Sequence, residues 1–369
     1  MIKKIKHLEL FAGIGGFRRA IDLYCKDNKL ISECIGFSEI DKYAVKSYKA
    51  YFDIKNEVEI GDIDSFTKQR KLVEKLPDFD LLTAGFPCQA FSMMGRKLGF
   101  NDIRGNIFYS IIKILKVKQP KYVLLENVRN LKRHDNGNTF IEITRSLRED
   151  ASYTVFNDVF NTSDFGLPQT RRRVFLLAIR NDLVPIINDI AFEAKEVKRE
   201  FNYLNGSTNL RNFENVLDGV LEKKVDDIYY LSERIKPTIL ADGSKKFQSK
   251  SEINQLIARP LTATMVKMHR ACQDNYYSDE FLTHQYPHEY LKKSFSKEDE
   301  AKHSIRKLTP LEALRLQGFD DDFYRKAKNA EVSNHQLYKQ AGNAVSVNTV
   351  YAILHYLFHP NKLTITHDK

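Results

Sequence analysis

Along the first 180 residues, apolar runs of strand length alternate with segments whose apolar residues recur every three or four positions. HLELFAGIGG (7–16) reads as a strand running into a glycine turn. FRRAIDLYCKD (17–27) then predicts a helix with Phe17, Ala20, Ile21 and Tyr24 on one face. CIGFSEI (34–40) is a second strand, DKYAVKSYKAYF (41–52) a helix, and VEIGDI (58–63) a short third strand. FDLLTAG (79–85) is a fourth, with the unbroken apolar run of a strand buried on both faces. NIFYSIIKILKVK (106–118) predicts a helix ended by Pro120, KYVLLENV (121–128) a fifth strand, and TFIEITRSLRED (139–150) a helix. YTVFNDVFN (153–161) and RRRVFLLAI (171–179) read as a closing strand pair. Such alternation implies an α/β fold, a mostly parallel sheet covered by helices.

The pattern changes near residue 181. NYLNGSTNLRNF, LADGSKKFQSKSE and SFSKEDEAKH are polar, loop-like stretches between short elements. VLDGVLEKKVDDIYYLSERI (216–235) predicts a helix among them. Regularity returns at KLTPLEALRLQGF (307–319). There Thr309 is placed to cap a helix, Pro310 to open it, Glu312 to complete a capping box and Gly318 to stop it. SVNTVYAILHYLF (346–358) is a final apolar helix, expected to pack back on the first part. The division read from sequence is 1–184, an irregular domain at 185–305, and a returning segment at 306–369.

Composition adds a partner class. Lys and Arg exceed Asp and Glu, 58 against 48, giving net charge +10 and a pI near 9.1. That excess fits a polyanionic partner as well as an ordinary lysine-rich surface. No apolar run approaches membrane-spanning length. The lysines at the start are followed by Glu9, Arg18 and Arg19 rather than by a signal-peptide core, so a cytoplasmic location and no membrane are expected. Four cysteines (Cys25, Cys34, Cys88 and Cys272) show no CxxC or Cys/His spacing. Neither a metal site nor a disulfide framework is expected.

Two constellations carry chemistry. FAGIGG (11–16) follows a strand and opens a helix, so its glycines let backbone approach a ligand at the free N–H groups of the helix start. Glu39, at the end of the second strand, is a carboxylate of the kind that accepts ribose hydroxyls, and Asp62 ends the third strand. The spacing is not GxGxxG, which weakens a pyrophosphate reading and leaves a tight turn beside a surface acid as the plain alternative. The second constellation is GFPCQAFSMMGRKLGF (85–100). Cys88 follows Pro87 at the carboxyl edge of the sheet, where open α/β folds bind ligands. Its thiolate would be a nucleophile favoured by nearby positive charge, and its plain alternative is an inert small hydrophobe. Glu126 leaves the apolar strand LLEN partly desolvated, which suits it to proton exchange. In QTRRR (169–173), strand alternation would put Arg171 and Arg173 on one face and Arg172 on the other.

In chain order, FAGIGG, Glu39, GDI (61–63), GFPCQAFS, RGNIF (104–108), ENV (126–128), QTRRR, RKLTPLEALRLQGF and QAGNAV (340–345) make the chain resemble a bacterial DNA (cytosine-5) methyltransferase of the restriction–modification type. Only about 185–300 has no firm match, the stretch that in this family is the variable target-recognition domain. The resemblance implies a class I S-adenosylmethionine-dependent methyltransferase fold, a Rossmann-like mixed sheet, with a smaller irregular recognition domain. It implies methyl transfer to C5 of a flipped-out cytosine in a short duplex site. Cys88 would bond to C6, Glu126 would hold N3 and the exocyclic amine, and Arg173, supported by Arg171, would hold O2. S-adenosylmethionine would sit against Phe11, Ile14, Gly16, Glu39, Asp62, Pro87, Ile107 and Asn343. GNAV stands where many members have GNSV, so a role for that serine hydroxyl does not transfer.

Gln89, Ser92 and Arg96 would close on DNA. Within RPLTATMVKMHRACQDNYY (259–277), Thr262, Thr264, Lys267, His269, Arg270 and Gln273 would meet bases or phosphates. A monomer is expected, with a cognate restriction endonuclease acting separately. Three rivals are weighed on the sequence: a tRNA cytosine-5 methyltransferase on the same scaffold, a non-catalytic DNA-binding relative, and a nicotinamide-dependent Rossmann enzyme, against which the off-pattern glycines, the Pro-Cys turn and the basic charge all count. The long 185–305 insertion favours duplex DNA, and the intact Cys88, Glu126 and Arg173 set favours catalysis.

Overall fold

The computed structural model describes residues 4–87, 106–186, 191–204, 207–243, 249–265, 267 and 269–358. The chain divides into two compact units. The first comprises Met1–Phe165, Arg172–Leu210 and Val345–Lys369, and the second Gly166–Arg171 and Arg211–Ala344.

The first unit is built on seven strands: β1 (Lys4–Leu10), β2 (Ile31–Ser38), β3 (Val58–Glu59), β4 (Leu81–Gly85), β5 (Tyr122–Val128), β6 (Tyr153–Asn161) and β7 (Arg172–Arg180). Their order is β3-β2-β1-β4-β5-β7-β6. The first five run parallel, and β7 enters antiparallel to both β5 and β6. The mixed α/β sheet expected from the alternation is present. Its central strands are buried on both faces, as the unbroken apolar runs require: Leu81, Leu82, Leu124 and Leu125 have almost no exposure. The helix Gly16–Asp27 turns Phe17, Ala20, Ile21 and Tyr24 inward. The final helix, Val347–Phe358, belongs to this unit and is buried along its length, with Tyr24 packed edge-on against Tyr351 at 5.8 Å.

The second unit holds a two-stranded antiparallel ribbon, β8 (Tyr276–Ser278) and β9 (Ile305–Lys307), over a small core that includes Ile239, Ile253 and Ile305. The capping box at 309–312 forms as expected, and Gly318 adopts φ +89° just past the helix Pro310–Arg315. The box does more than cap. Glu312 is fully buried, and its Oε1 accepts from Arg306 Nη2 (2.8 Å) and Glu222 N (2.7 Å). Its Oε2 accepts from Arg306 Nη1 (2.9 Å) and Thr309 N (2.7 Å). About four acceptor sites meet four donors, the condition under which a buried ion pair is tolerated.

Three expectations are corrected. The helix expected over 216–235 does not form. Only short 3₁₀ turns occur, at Val216–Asp218 and Asp227–Tyr229. Gly219 sits at φ +124°, outside any helix, while Val216 and Val220 are buried singly rather than as one face. The helix at 139–150 is α only over Asn138–Arg145 and then widens over Ser146–Asp150. The compact units also cut the chain elsewhere than the expected boundaries. Residues 306–344 pack with the irregular part through Arg306 and Glu312, and only Val345 onward returns to the sheet-bearing unit.

Glu312→Gln should lower folding stability by about 3–5 kcal/mol, because it strands the Arg306 charge in the core. Chemical denaturation checks this, and stability within about 1 kcal/mol of wild type would show that the pair is dispensable.

Candidate active site

The carboxyl edge of the first unit's parallel strands gathers most of the expected residues. After β1 the chain turns sharply, with Phe11 at φ +52°, Gly13 at +55° and Gly15 at +82°. At Gly16 a Cβ would stand 2.6 Å from Val345 Cγ1, so only glycine admits this approach. Ile14 is buried, and Phe11 and Ile107 pack together with the sheet's core cluster.

Glu39, just past β2, ties the turn to the sheet edge. Its Oε2 accepts from Gly13 N at 2.8 Å, and its Oε1 accepts from Ile40 N and Asp41 N at 2.8 Å each. Three of about four acceptor sites are therefore filled by backbone, leaving one for a ligand hydroxyl rather than the two expected of a free carboxylate. Asp62 caps the short helix Ile63–Thr67, accepting from Asp64 N (3.1 Å) and the Ser65 hydroxyl (2.6 Å). The Ser65 hydroxyl holds the Asp62 carboxyl below its ordinary range. Around Gly13 and Gly61 there is open space where a side chain would stand. Ile40, which the sequence reading missed, leaves its apolar side chain 78% exposed beside Glu39. This edge therefore fits an adenosine: one free acceptor, a capped carboxylate, exposed apolar surface, and room at two glycines.

Glu126 lies near the end of β5, in register with Gly85 of β4. A Cβ on Gly85 would sit 3.8 Å from Glu126 Oε2, so the carboxylate overhangs the end of β4. Across the antiparallel junction, Arg173 Nε stands 3.0 Å from Glu126 Oε1, with both side chains largely shielded from solvent. Asn127 Nδ2 donates to Phe86 O at 2.8 Å, pinning the chain just before the exposed Pro87. Cys88, Gln89, Ser92 and Arg96 lie outside the described residues.

Glu9 is a further residue that the sequence reading passed over. It is fully buried in β1, and its Oε1 accepts weakly from Arg18 N (3.4 Å). Its Oε2 accepts from the Tyr48 hydroxyl (3.3 Å), which in turn accepts from Arg18 Nη1 (3.1 Å). Burial pushes its carboxyl up to about 8. An acid in a strand buried on both faces was the available signal. Its place under the start of the helix Gly16–Asp27 makes it a support for the glycine turn.

Arg171 does not share Arg173's surroundings, and its expected support of Arg173 has no direct contact behind it among the described residues. β7 begins at Arg172, so strand alternation does not reach Arg171. Arg171 belongs to the second unit, where it is buried and donates to Leu261 O (3.0 Å), Gly342 O (3.1 Å) and Ala344 O (2.9 Å). It is a brace for main chain. Asn343 ends the helix Asn334–Asn343 of the same unit with its side chain exposed. Of the expected DNA contacts, Lys267, His269 and Thr264 are exposed. Arg270 is instead held by Asp274 (2.6 Å), Thr262 Oγ1 (2.6 Å) and Thr264 Oγ1 (3.1 Å), so it orders the loop.

The model of the C-5 cytosine-specific DNA methylase family matches residues 5–359. The type II methyltransferase M1.ScrFI of Lactococcus lactis subsp. cremoris is 37% identical over 95% of this chain and 77% of that protein. M.HaeII of Haemophilus aegyptius is 34% identical over 95% of this chain and 92% of its own length. Among solved structures, the Entamoeba histolytica methyltransferase EhMeth aligns with TM-score 0.70 at 22% identity, over 98% of this chain and all of that one. The S. pombe Dnmt2 methyltransferase gives 0.70 at 20%, over 96% and 99%. The last two bear on the fold alone.

The two arginines should respond oppositely to lysine substitution. Arg171→Lys loses the fork that serves three buried carbonyls, each costing about 1–3 kcal/mol if left unpaired, so thermal unfolding should fall clearly. Arg173→Lys keeps a cation beside Glu126 and should leave stability within about 1 kcal/mol while lowering methyl transfer. Equal stability losses would contradict the assignment.

Proposed function

The chain belongs to the C-5 cytosine-specific DNA methylase family, and from that premise we propose how its own residues carry methyl transfer to C5 of cytosine in duplex DNA. The supporting observation is the Glu126–Arg173 pair at the sheet's carboxyl edge, overhanging the strand that leads into Cys88.

S-adenosylmethionine is the methyl donor in this reading and supplies an electrophilic sulfonium methyl. Glu39 would offer its remaining acceptor site to a ribose hydroxyl, and Asp62 would accept from the adenine amino group. Phe11, Ile14, Ile40, Pro87 and Ile107 would supply apolar surface, and Gly16 lets the turn close.

Cytosine C5 is too weak a nucleophile to take a methyl directly. Addition of the Cys88 thiolate to C6 forms a C–S bond, breaks the ring's conjugation and makes C5 an enamine carbon. Glu126 holds N3 and the exocyclic amine, and Arg173 holds O2, so the density that builds there meets prepared partners. After C5 is methylated, loss of its proton and cleavage of the C–S bond restore the ring and the thiolate. C6 is not reachable in a stacked duplex, so the base must be flipped out at a cost of a few kcal/mol. Gln89, Ser92 and Arg96 meet the DNA beside that base. Thr262, Thr264, Lys267, His269 and, through its ordering of the loop, Arg270 serve the recognition surface. As the modification enzyme of a restriction–modification system, the protein would act as a cytoplasmic monomer alongside a separate endonuclease. No helix among the described residues is long and apolar enough to cross a membrane.

Radiolabelled S-adenosylmethionine with duplex DNA and with tRNA tests the reading. Label should enter duplex DNA at cytosine C5, Cys88→Ser should abolish it, and Glu126→Gln should cut the rate by roughly 10²–10³. Labelling confined to tRNA, or full activity in either variant, would contradict it.

A further inference from the structure

Within the second unit, a cavity of about 140 Å³ opens among the 260–276 segment, the end of β9 and the helix Asn334–Asn343. Its lining includes Thr262, Lys267, His269, Gln273, Asp274 and Lys307. By the same measure a water needs only about 10–15 Å³, so a group the size of phosphate has room.

The charges around this cavity are unbalanced. Lys307 ends β9 and stands opposite Tyr276 of β8, so the two side chains share one face of the ribbon. Tyr276 is buried and Lys307 half-buried. The preceding residue, Arg306, is neutralised by Glu312. Lys307 has no such partner: among the described residues no carboxylate oxygen lies within 4.0 Å of its Nζ. The one acid lining the cavity, Asp274, is taken up by Arg270 through contacts of 2.6 and 3.3 Å. Burial holds His269 below its ordinary range, with the Lys307 charge adding to the effect and Asp274 opposing it. Burial also holds Lys307 below its own. Lys267 and Lys307 thus line the cavity together, and its one acid is already engaged by Arg270.

We propose that this cavity seats one backbone phosphate of duplex DNA, with Lys307 as its fixed cation and Lys267 and His269 closing on the same phosphate. The inference rests on the DNA-methylating function above and adds a residue to it. A lysine is a compact charge with three donors, suited to phosphate and lacking the planar fork that reads a base edge. Thr262 and Gln273 add neutral hydrogen-bonding groups to the wall. The seat therefore contributes affinity and register without base preference.

The test uses the full chain and a fluorescent mixed-sequence duplex, with binding followed by anisotropy from about 50 to 200 mM salt. Lys307→Gln should reduce the salt slope by about 0.9 and weaken binding about eight-fold at 0.1 M salt, equally for mixed-sequence and methylatable duplexes. Lys307→Arg should restore both, and thermal unfolding of each variant confirms an intact fold. An unchanged slope in Lys307→Gln would overturn the proposal, as would weaker binding at an unchanged slope, which marks a packing role. So would a Lys307→Arg variant as impaired as Lys307→Gln, or a loss confined to the methylatable duplex. A wild-type chain that binds no duplex at any salt would instead sink the DNA reading itself.

Discussion

The candidate site depends on one strand running backwards. Because β7 enters antiparallel to β5, Val128 pairs with Arg173 and the guanidinium comes within 3.0 Å of Glu126. A slip of one residue in that pairing would turn every side chain of β7 to the other face. The apolar residues Val174 to Ile179 are buried throughout, so a slip would not expose a polar face but would dislocate the core. The register is therefore set by packing along the whole strand, and the two charged residues at its open end inherit their positions. Neither Glu126 nor Arg173 must find the other by flexing, so the pair is held in place before any ligand arrives.

The same edge is tied together through backbone. Glu39 spends most of its acceptor capacity on the N–H groups of Gly13, Ile40 and Asp41. That expenditure makes the turn after β1 and the start after β2 one rigid piece. Beneath it, the chain from Arg18 to Tyr48 to Glu9 keeps a buried carboxyl hydrogen-bonded inside an otherwise apolar strand. Burial raises that carboxyl to about 8, so it carries little charge at neutral pH and its burial is tolerable.

The parallel sheet was legible because its strands are unbroken apolar runs punctuated by glycine, proline and helical periodicity. The capping box at Thr309 and Glu312 was legible for the same local reason. What local patterns lacked was tertiary context. The 216–235 stretch has apolar residues at helical spacing, yet each finds its own niche and Gly219 breaks the backbone path. QTRRR looked like one alternating strand, but the run straddles two compact units, so Arg171 serves main-chain carbonyls while Arg173 serves Glu126. Arg270 looked like a base reader, and Asp274, four residues on, holds it. Glu39 follows its strand as expected, whereas β3 stops at Glu59 and Asp62 caps the next helix instead of ending a strand; the backbone and hydroxyl donors to the two carboxylates could not be counted from sequence.

The central claim is a transient bond between Cys88 sulfur and C6 of an everted cytosine. The most direct measurement incubates the protein and S-adenosylmethionine with duplex DNA in which every cytosine is 5-fluorocytosine. Fluorine at C5 blocks the final proton loss, so the account predicts a protein–DNA adduct that survives denaturation and maps by peptide mass to Cys88. Absence of any adduct, from a preparation that methylates ordinary duplex DNA under the same conditions, would contradict it.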